Sequence, residues 1–439
     1  MDLAANLTLG WQVAAAAGRI GSDRIGASFG RGLPATPEAI ARPGVLDAIL
    51  RAGAPPGGEP LPRVAGVHLP GVEFESSNCR NFLVELAFDG DARPGLPATA
   101  YVKLPCRALA TRVFANALGF WALECTFCRT LAHRVPIRVP RVYAALQRGS
   151  RFALVLEDMR AVPGVRLFLN RDMAAGTTVE RAELALETFA PLHASFWEWS
   201  APQREALLPV ALHPFLSPRR RAIGRALLAA AIRPCRSRAP DVFTPQLAAL
   251  CRRALSRWDD LIAYWYAGPL TLVHGDSHLG NLFEIAAPEQ QGGRRSSADA
   301  QRGEAERRPE PERERATSAK ARQGGQMGML DFQAVHWSKS MRDVQYFLIN
   351  SLAPELLARH ESSLIDHYLA ALARRGIALA PERARADYRA FSFQTLITAA
   401  VSFAGGLIER EATVKTVLER STAAVERLRF GEWLEGLPS

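Results

Sequence analysis

Cysteine is scarce in this chain, with six residues in 439. Only Cys125 and Cys128 stand close together, and no second pair completes a zinc-ligand set, which speaks against structural zinc. Free buried thiols in a reducing compartment are expected instead, and with them a cytoplasmic location. Long apolar runs are also missing. Phe391–Ile408 comes nearest, but Gln394, Thr395, Thr398 and Ser402 interrupt it and Gly405-Gly406 ends it. A span needs ~20 mainly apolar residues, so a buried core helix is expected and no membrane span. Asp2 follows Met1 with no basic leader before an apolar run, so no signal peptide is expected. No internal repeat is evident. The arginines at 219, 220, 221, 225, 233, 236 and 238 have no aromatic residues among them, so a single-strand stacking platform is disfavoured and no nucleic acid is expected as partner.

What is present suits one very large domain or two ordinary ones, since 48% of 439 residues are hydrophobic. The formal net charge of +10 favours an anionic ligand such as a nucleotide. An arginine-rich proteome would produce the same excess.

The most informative stretch is Leu272-Val-His-Gly-Asp-Ser-His-Leu-Gly-Asn-Leu-Phe283. Two β-prone runs, 270–273 and 282–285, flank a polar loop that carries Asp276 and, five positions on, Asn281. A further apolar strand, 327–330, leads into Asp331-Phe332-Gln333. Protein kinases use an Asp and an Asn at the first interval, and a metal-binding Asp at the second place. Phosphoryl transfer needs an aimed hydroxyl, a partner for its proton and a divalent metal to offset phosphate charge. Mg²⁺ prefers carboxylate and amide oxygens. Asp276 is therefore the candidate catalytic base, and Asn281 and Asp331 are the candidate metal ligands.

His274-Gly-Asp276-Ser-His-Leu-Gly-Asn281, followed by Leu330-Asp331-Phe and Arg342-Asp343-Val, resembles the aminoglycoside phosphotransferase and choline kinase superfamily. The pattern Val-His-Gly-Asp-x-His-x-Gly-Asn-Leu-Phe is most similar to the ecdysteroid-kinase-like branch. The resemblance runs, more weakly, from about residue 36 to about 404. It implies a two-lobed protein-kinase-like α+β fold, with a small β-rich N-lobe over ATP and a larger helical C-lobe. It also implies transfer of the γ-phosphoryl group of ATP, or of GTP, to a hydroxyl of a small molecule with Mg²⁺. A protein kinase and a catalytically inactive nucleotide-binding protein are the alternatives. Gly275, His278 and Gln333, and the lack of an Ala-Pro-Glu signature, favour the small-molecule branch.

On this reading residues 1–35, rich in Ala and Gly with no sustained period, form a flexible arm. Residues 36–156 form the N-lobe and 157–439 the C-lobe. Thr36-Pro37 starts a short helix running to about 51. Strands are expected at 72–74, 82–88, 99–104, 139–142 and 152–156, with one helix from about 109 to 133. Ser76-Ser77-Asn78 occupies the place of the phosphate-covering loop but lacks its Gly-x-Gly pattern. Lys103, at the end of the third strand, is the candidate for the phosphate-binding lysine. Similarity to the family's Glu-x-x-Phe-x-Arg segment makes Glu124 its partner. Leu156-Glu-Asp-Met159 resembles the inter-lobe hinge, with Glu157 to Met159 as adenine contacts. The resemblance gives His193 a packing role and lets Asp343 hold the catalytic-loop backbone. Pro191 is expected to kink its helix. Residues 286–326 carry almost no apolar side chains, so a disordered insert at a hairpin tip is expected, with Asn281 and Asp331 brought to neighbouring strands across it. The C-terminal helices are expected to line the acceptor pocket, with Phe391, Phe393 and Phe403 as its apolar candidates.

Overall fold

In a computed structural model, described for residues 3–29, 32–75, 78–90, 95–209, 216–286, 325–405 and 411–437, the chain forms two lobes. Six strands make the N-terminal sheet: β1 (Val64–His68), β2 (Glu73–Glu75), β3 (Cys79–Phe88), β4 (Thr99–Pro105), β5 (Val142–Arg148) and β6 (Arg151–Glu157). They run antiparallel in the order β1-β3-β4-β6-β5, with β2 paired to the Arg80–Phe82 stretch of β3 that β1 leaves uncovered. Alternation along β4 separates two faces. Val102 and Leu104 enter a small core with Phe82, Val84 and Val155, while Lys103 points to the opposite face. Short strands β7 (Val165–Leu167), β9 (Leu282–Ile285) and β10 (Gln326–Met329) form a second sheet, and β8 (Thr271–Val273) pairs with β11 (His336–Ser338).

The helices are α1 (Leu3–Ser28), α2 (Pro37–Ile40), α3 (Pro43–Gly53), α4 (Leu109–Leu118), α5 (Phe120–Thr130), α6 (Asn170–Ala175), α7 (Val179–Ser195), α8 (Ala201–Leu207), α9 (Arg221–Arg238), α10 (Pro245–Ser256) and α11 (Trp258–Tyr266). After β11 come α12 (Met341–Ser351), α13 (Pro354–Ala373), α14 (Pro381–Gly405), α15 (Glu411–Arg427) and α16 (Phe430–Glu435). The small core lies between α3 and the sheet. The large one joins α5, the sheet's other face and the C-lobe helices. This division is the α+β, two-lobed protein-kinase-like architecture.

Several local expectations change. Residues 3–28 are not an irregular arm but a helix, docked on α4 and α9 with Ala16 and Ile20 buried. Packing supplies what the Ala- and Gly-rich sequence could not signal. Thr36 does cap a helix, accepting from the Ala39 amide at 3.3 Å. The chain then breaks at residues 41–42, because a residue before proline avoids helical backbone, and restarts at Pro43. The helix over 109–133 is two helices, since Gly119 adopts φ +77° between them. Val64–His68 is a strand that periodicity missed. The strand expected at 139–142 starts only at Val142. α7 runs through Pro191 to Ser195. The bulk of the insert, residues 287–324, lies outside the described residues, as do Ser76 and Ser77. Its two ends are paired antiparallel, with Ile285 opposite Gln326 and Leu282 opposite Met329.

Candidate active site

The loop that carries Asp276 depends on one backbone turn. Gly275 has φ +79°, and a Cβ there would strike the Ala334 carbonyl and the His336 ring. The buried carboxylate of Asp343, at the start of α12, accepts from the His274 amide at 2.7 Å and the Gly275 amide at 2.8 Å. His193 Nε2 stands 3.2 Å from the same carboxylate, while its Nδ1 meets the Tyr368 hydroxyl at 2.7 Å. The packing role for His193 and the loop-holding role for Asp343 both appear. Burial raises the Asp343 carboxyl, but the His193 bond and charge, His274 and the Gly275 amide overcome it and push it down to about 2. The His274 ring donates from Nε2 to the Leu330 carbonyl (2.7 Å), leaving Nδ1 to accept from the Asp276 amide (3.2 Å). His274 thus ties the loop to the strand that ends at Asp331.

Asp276 and Asn281 meet directly. The Asn281 amide nitrogen donates to the Asp276 carbonyl (2.8 Å) and to its Oδ2 (3.1 Å). Tyr346 stands beside the Asp276 carboxylate and helps to lower its pKa. Burial raises the Asp276 carboxyl, yet His278, His274, the Tyr346 bond and the Arg342 guanidinium hold it below the ordinary carboxylate value. Burial also lowers His278, favouring the neutral ring. The Asn281 amide, Tyr346 and Arg342 favour the anion without drawing on His278.

From the N-lobe, Lys103 Nζ lies 2.6 Å from Glu124 Oε1 and 3.2 Å from Asp331 Oδ1. Burial alone would discharge this lysine, but Asp331 and Glu124 keep its pKa well above the usual value. Glu124 is raised, because burial and Asp331 outweigh the pull of Lys103. Phe332 stacks on Phe127 at 3.7 Å between ring centroids, and His274 lies 4.5 Å from Phe332. This brace fixes α5, which carries Glu124, against the segment that carries Asp331. Asp331 itself has φ +60°, a rare conformation that Asp tolerates better than most residues. All five groups, Lys103, Glu124, Asp276, Asn281 and Asp331, line one inter-lobe cleft of about 1200 Å³. That volume exceeds the ~300–1,000 Å³ of an ordinary small-molecule pocket.

The hinge residues line the cleft as well. The Glu157 side chain is committed to support, paired with Arg138 at 2.6 Å and accepting from the Arg141 amide at 2.8 Å. Met159 is buried against the cleft. Phe391, Phe393 and Phe403 do not line it. They belong to the large core. Three contributors escaped sequence reasoning. Tyr346 and Arg342 share a helix face, spaced four residues apart beside the Asp343 motif, and that spacing was their available signal. Gln333 accepts from the Asn78 side-chain amide at 2.6 Å, joining the lobes, and nothing local announced it. Of the arginines at 219–238, two are tied into the fold: Arg220 donates to the Leu118 carbonyl and Arg238 to that of Phe403. Among the described residues, no helix is long and apolar enough to cross a membrane.

The pairing of a β-strand lysine with a helix glutamate, above a loop Asp–Asn pair and a second strand-end Asp, defines a kinase-like site. Residues 318–379, which carry Asp331 and Asp343, match the ecdysteroid kinase-like family. Among solved structures, the chain is similar to a putative aminoglycoside phosphotransferase from Ralstonia eutropha JMP134, at 14% identity and TM-score 0.46 over 90% of this chain and 98% of that one. It is also similar to the Plasmodium vivax ethanolamine kinase, at 10% identity and TM-score 0.47 over 82% and 81%. A third is the choline kinase LicA of Streptococcus pneumoniae, at 9% identity and TM-score 0.42 over 83% and 94%. No curated protein matches the sequence.

Proposed function

We propose that the protein is a small-molecule kinase that moves the γ-phosphoryl group of ATP to an alcohol. The observation that carries this reading is the convergence of Lys103–Glu124–Asp331 and Asp276–Asn281 on one cleft. In it, Lys103 holds the α/β-phosphates, and Glu124 fixes the lysine by a buried ion pair. The adenine ring lies against the backbone of Glu157 to Met159. Asn281 and Asp331 hold Mg²⁺.

Asn281 supports that donor set, because it commits its amide nitrogen to Asp276 and leaves its side-chain oxygen available as a ligand. Mg²⁺ takes one or two protein oxygens and fills its shell with phosphates and water. Bound metal would supply charge neutralisation at the phosphates. Asp276 then aims the acceptor hydroxyl and takes its proton. Its carboxylate is held ionised at neutral pH and fixed in place by Asn281 and Tyr346. His274 and Asp343 keep the loop in shape and take no part in proton transfer.

The test is Asp276→Asn. Acceptor-dependent ADP formation should fall by about 10³-fold or more, while binding of ATP, measured by calorimetry, stays within a few-fold of the parent. Turnover retained in that variant would remove Asp276 as the base.

A further inference from the structure

The acceptor side of the cleft is built by two polar stripes. On α12, Arg342, Tyr346 and Asn350 recur every four residues, and on α14 Gln394, Thr398 and Ser402 do the same. Four-residue spacing places side chains on one helix face, and all six line the cleft. Three of them are buried with polar atoms that no protein group satisfies. Asn350 is 1% exposed and neither of its amide atoms has a partner. Gln394 is 2% exposed and its amide nitrogen has none. Arg342 is 4% exposed. It gives Nη2 to the Gly275 carbonyl at 3.1 Å, while Nε and Nη1 are unmatched. Natural cores rarely leave such groups unpaired without a use for them.

The charge pattern is equally uneven. Among the described residues lining the cleft, the carboxylates are Glu124, Glu157, Asp158, Asp276 and Asp331. Four are committed, Glu124 and Asp331 to Lys103, Glu157 to Arg138 and Asp158 to Arg160. The cleft-lining residues of α12, α14 and α15 include none. Among the described residues, a cationic acceptor would meet Arg342 there, and no carboxylate beyond Asp276.

We propose that Asn350 and Gln394 form a subsite for a second oxygen of the acceptor, which is therefore a non-cationic alcohol with two or more oxygen groups. Tyr346 touches Asp276, and Asn350 lies one turn further along α12, so the second oxygen sits about 5–6 Å from the reacting hydroxyl. This rests on the phosphotransferase reading. The test is therefore arranged so that the two can fail separately.

Labelled ATP and Mg²⁺ are offered with matched sets of acceptors: neutral diols and polyols, their mono-hydroxyl analogues, choline and other amino alcohols. Products are identified by mass. The expected products are phosphorylated neutral diols or polyols. Phosphorylation confined to choline or amino alcohols overturns the subsite while leaving the kinase standing. No product from any acceptor counts against phosphotransfer itself and takes the subsite with it. In Asn350→Leu and Gln394→Leu, the KM of the best diol should rise about tenfold with kcat unchanged, and that of its mono-hydroxyl analogue should not move. Equal effects on both, or none, overturn the proposal. Asn350→Asp covers the case in which the leucine variants fail to fold. It should move the kcat/KM ratio toward amino alcohols by about tenfold, and an unchanged ratio overturns the subsite.

Discussion

The two halves of the cleft are built on different principles. On the Lys103 side, which we propose takes the nucleotide, nearly every charge is matched: Lys103 with Glu124 and Asp331, Glu157 with Arg138, Asp158 with Arg160. On the acceptor side, the helices offer neutral amides and hydroxyls, with buried atoms left unmatched on Arg342, Asn350 and Gln394. Matched charges pre-organise a site, because each side chain has one favourable position and a high cost for leaving it. Unmatched amides leave hydrogen-bonding capacity that only a ligand of the right shape can use. The Lys103 half is thus complete in outline by itself, whereas the half formed by α12 and α14 keeps hydrogen-bonding capacity for a ligand.

The comparison can be broken at several points. The largest effect is expected from Asp331→Asn. Turnover should fall by about a thousandfold with loss of its Mg²⁺ dependence, read by steady-state kinetics across a metal titration. A variant still stimulated by Mg²⁺ would show that the matched charges are structural only.

Lys103→Met leaves Glu124 buried and unpaired. It should cost about 3 kcal/mol of stability and raise the KM for ATP at least tenfold. Adding Glu124→Leu should recover most of the stability, seen in chemical denaturation, and none of the nucleotide affinity. Recovery of both would mean that Lys103 does not touch the phosphates.

Asp343→Asn probes the support beneath both halves. The Asp343 carboxyl is depressed to about 2 from its ordinary 3.8. Its stabilisation is therefore present above the unfolded value and lost as pH falls through the folded one. The shift corresponds to about 2 kcal/mol. Acid titration of the parent should show that loss between about pH 4 and pH 2. The variant, less stable at neutral pH, should lack that part of the slope.

The smallest effect is expected from Tyr346→Phe. Loss of the hydroxyl removes a bond that lowers the Asp276 pKa, so the acidic limb of kcat/KM against pH should move upward. A limb that stays in place would place the Tyr346 hydroxyl outside the titration of the base.

Legibility in the sequence followed the locality of the cause. Asp276, Asn281 and Asp331 stand in short strand–loop patterns, and a buried carboxylate between apolar strands demands a partner. Their convergence could be expected even across the insert, because Leu282–Ile285 and Gln326–Met329 both carry strand character. The Lys103–Glu124 pair was legible through resemblance, from a strand-end lysine and the Glu-x-x-Phe-x-Arg segment, and alternation along β4 with the turn of α5 is what brings the two together. α1 was not legible, since an Ala- and Gly-rich helix exists through its docking on α4 and α9. Nor was the acceptor face. Phe391, Phe393 and Phe403 looked suited to a pocket, whereas Gln394, Thr398 and Ser402, read at first as interruptions of an apolar run, are the residues that reach it.

By itself, the sequence determined most of the strands of the N-lobe sheet, the loop chemistry around Asp276 and the identity of the charged groups that must find partners. These depend on periods of two and 3.6 residues and on the cost of burying charge, both of which act over short stretches. Tertiary structure alone decided which face of α12 and α14 opens on the cleft, that Gln333 meets Asn78, and which polar atoms remain unmatched beside Tyr346. Each of those outcomes is set by packing among segments distant in the chain, and no local rule fixes the rotation of one helix against another.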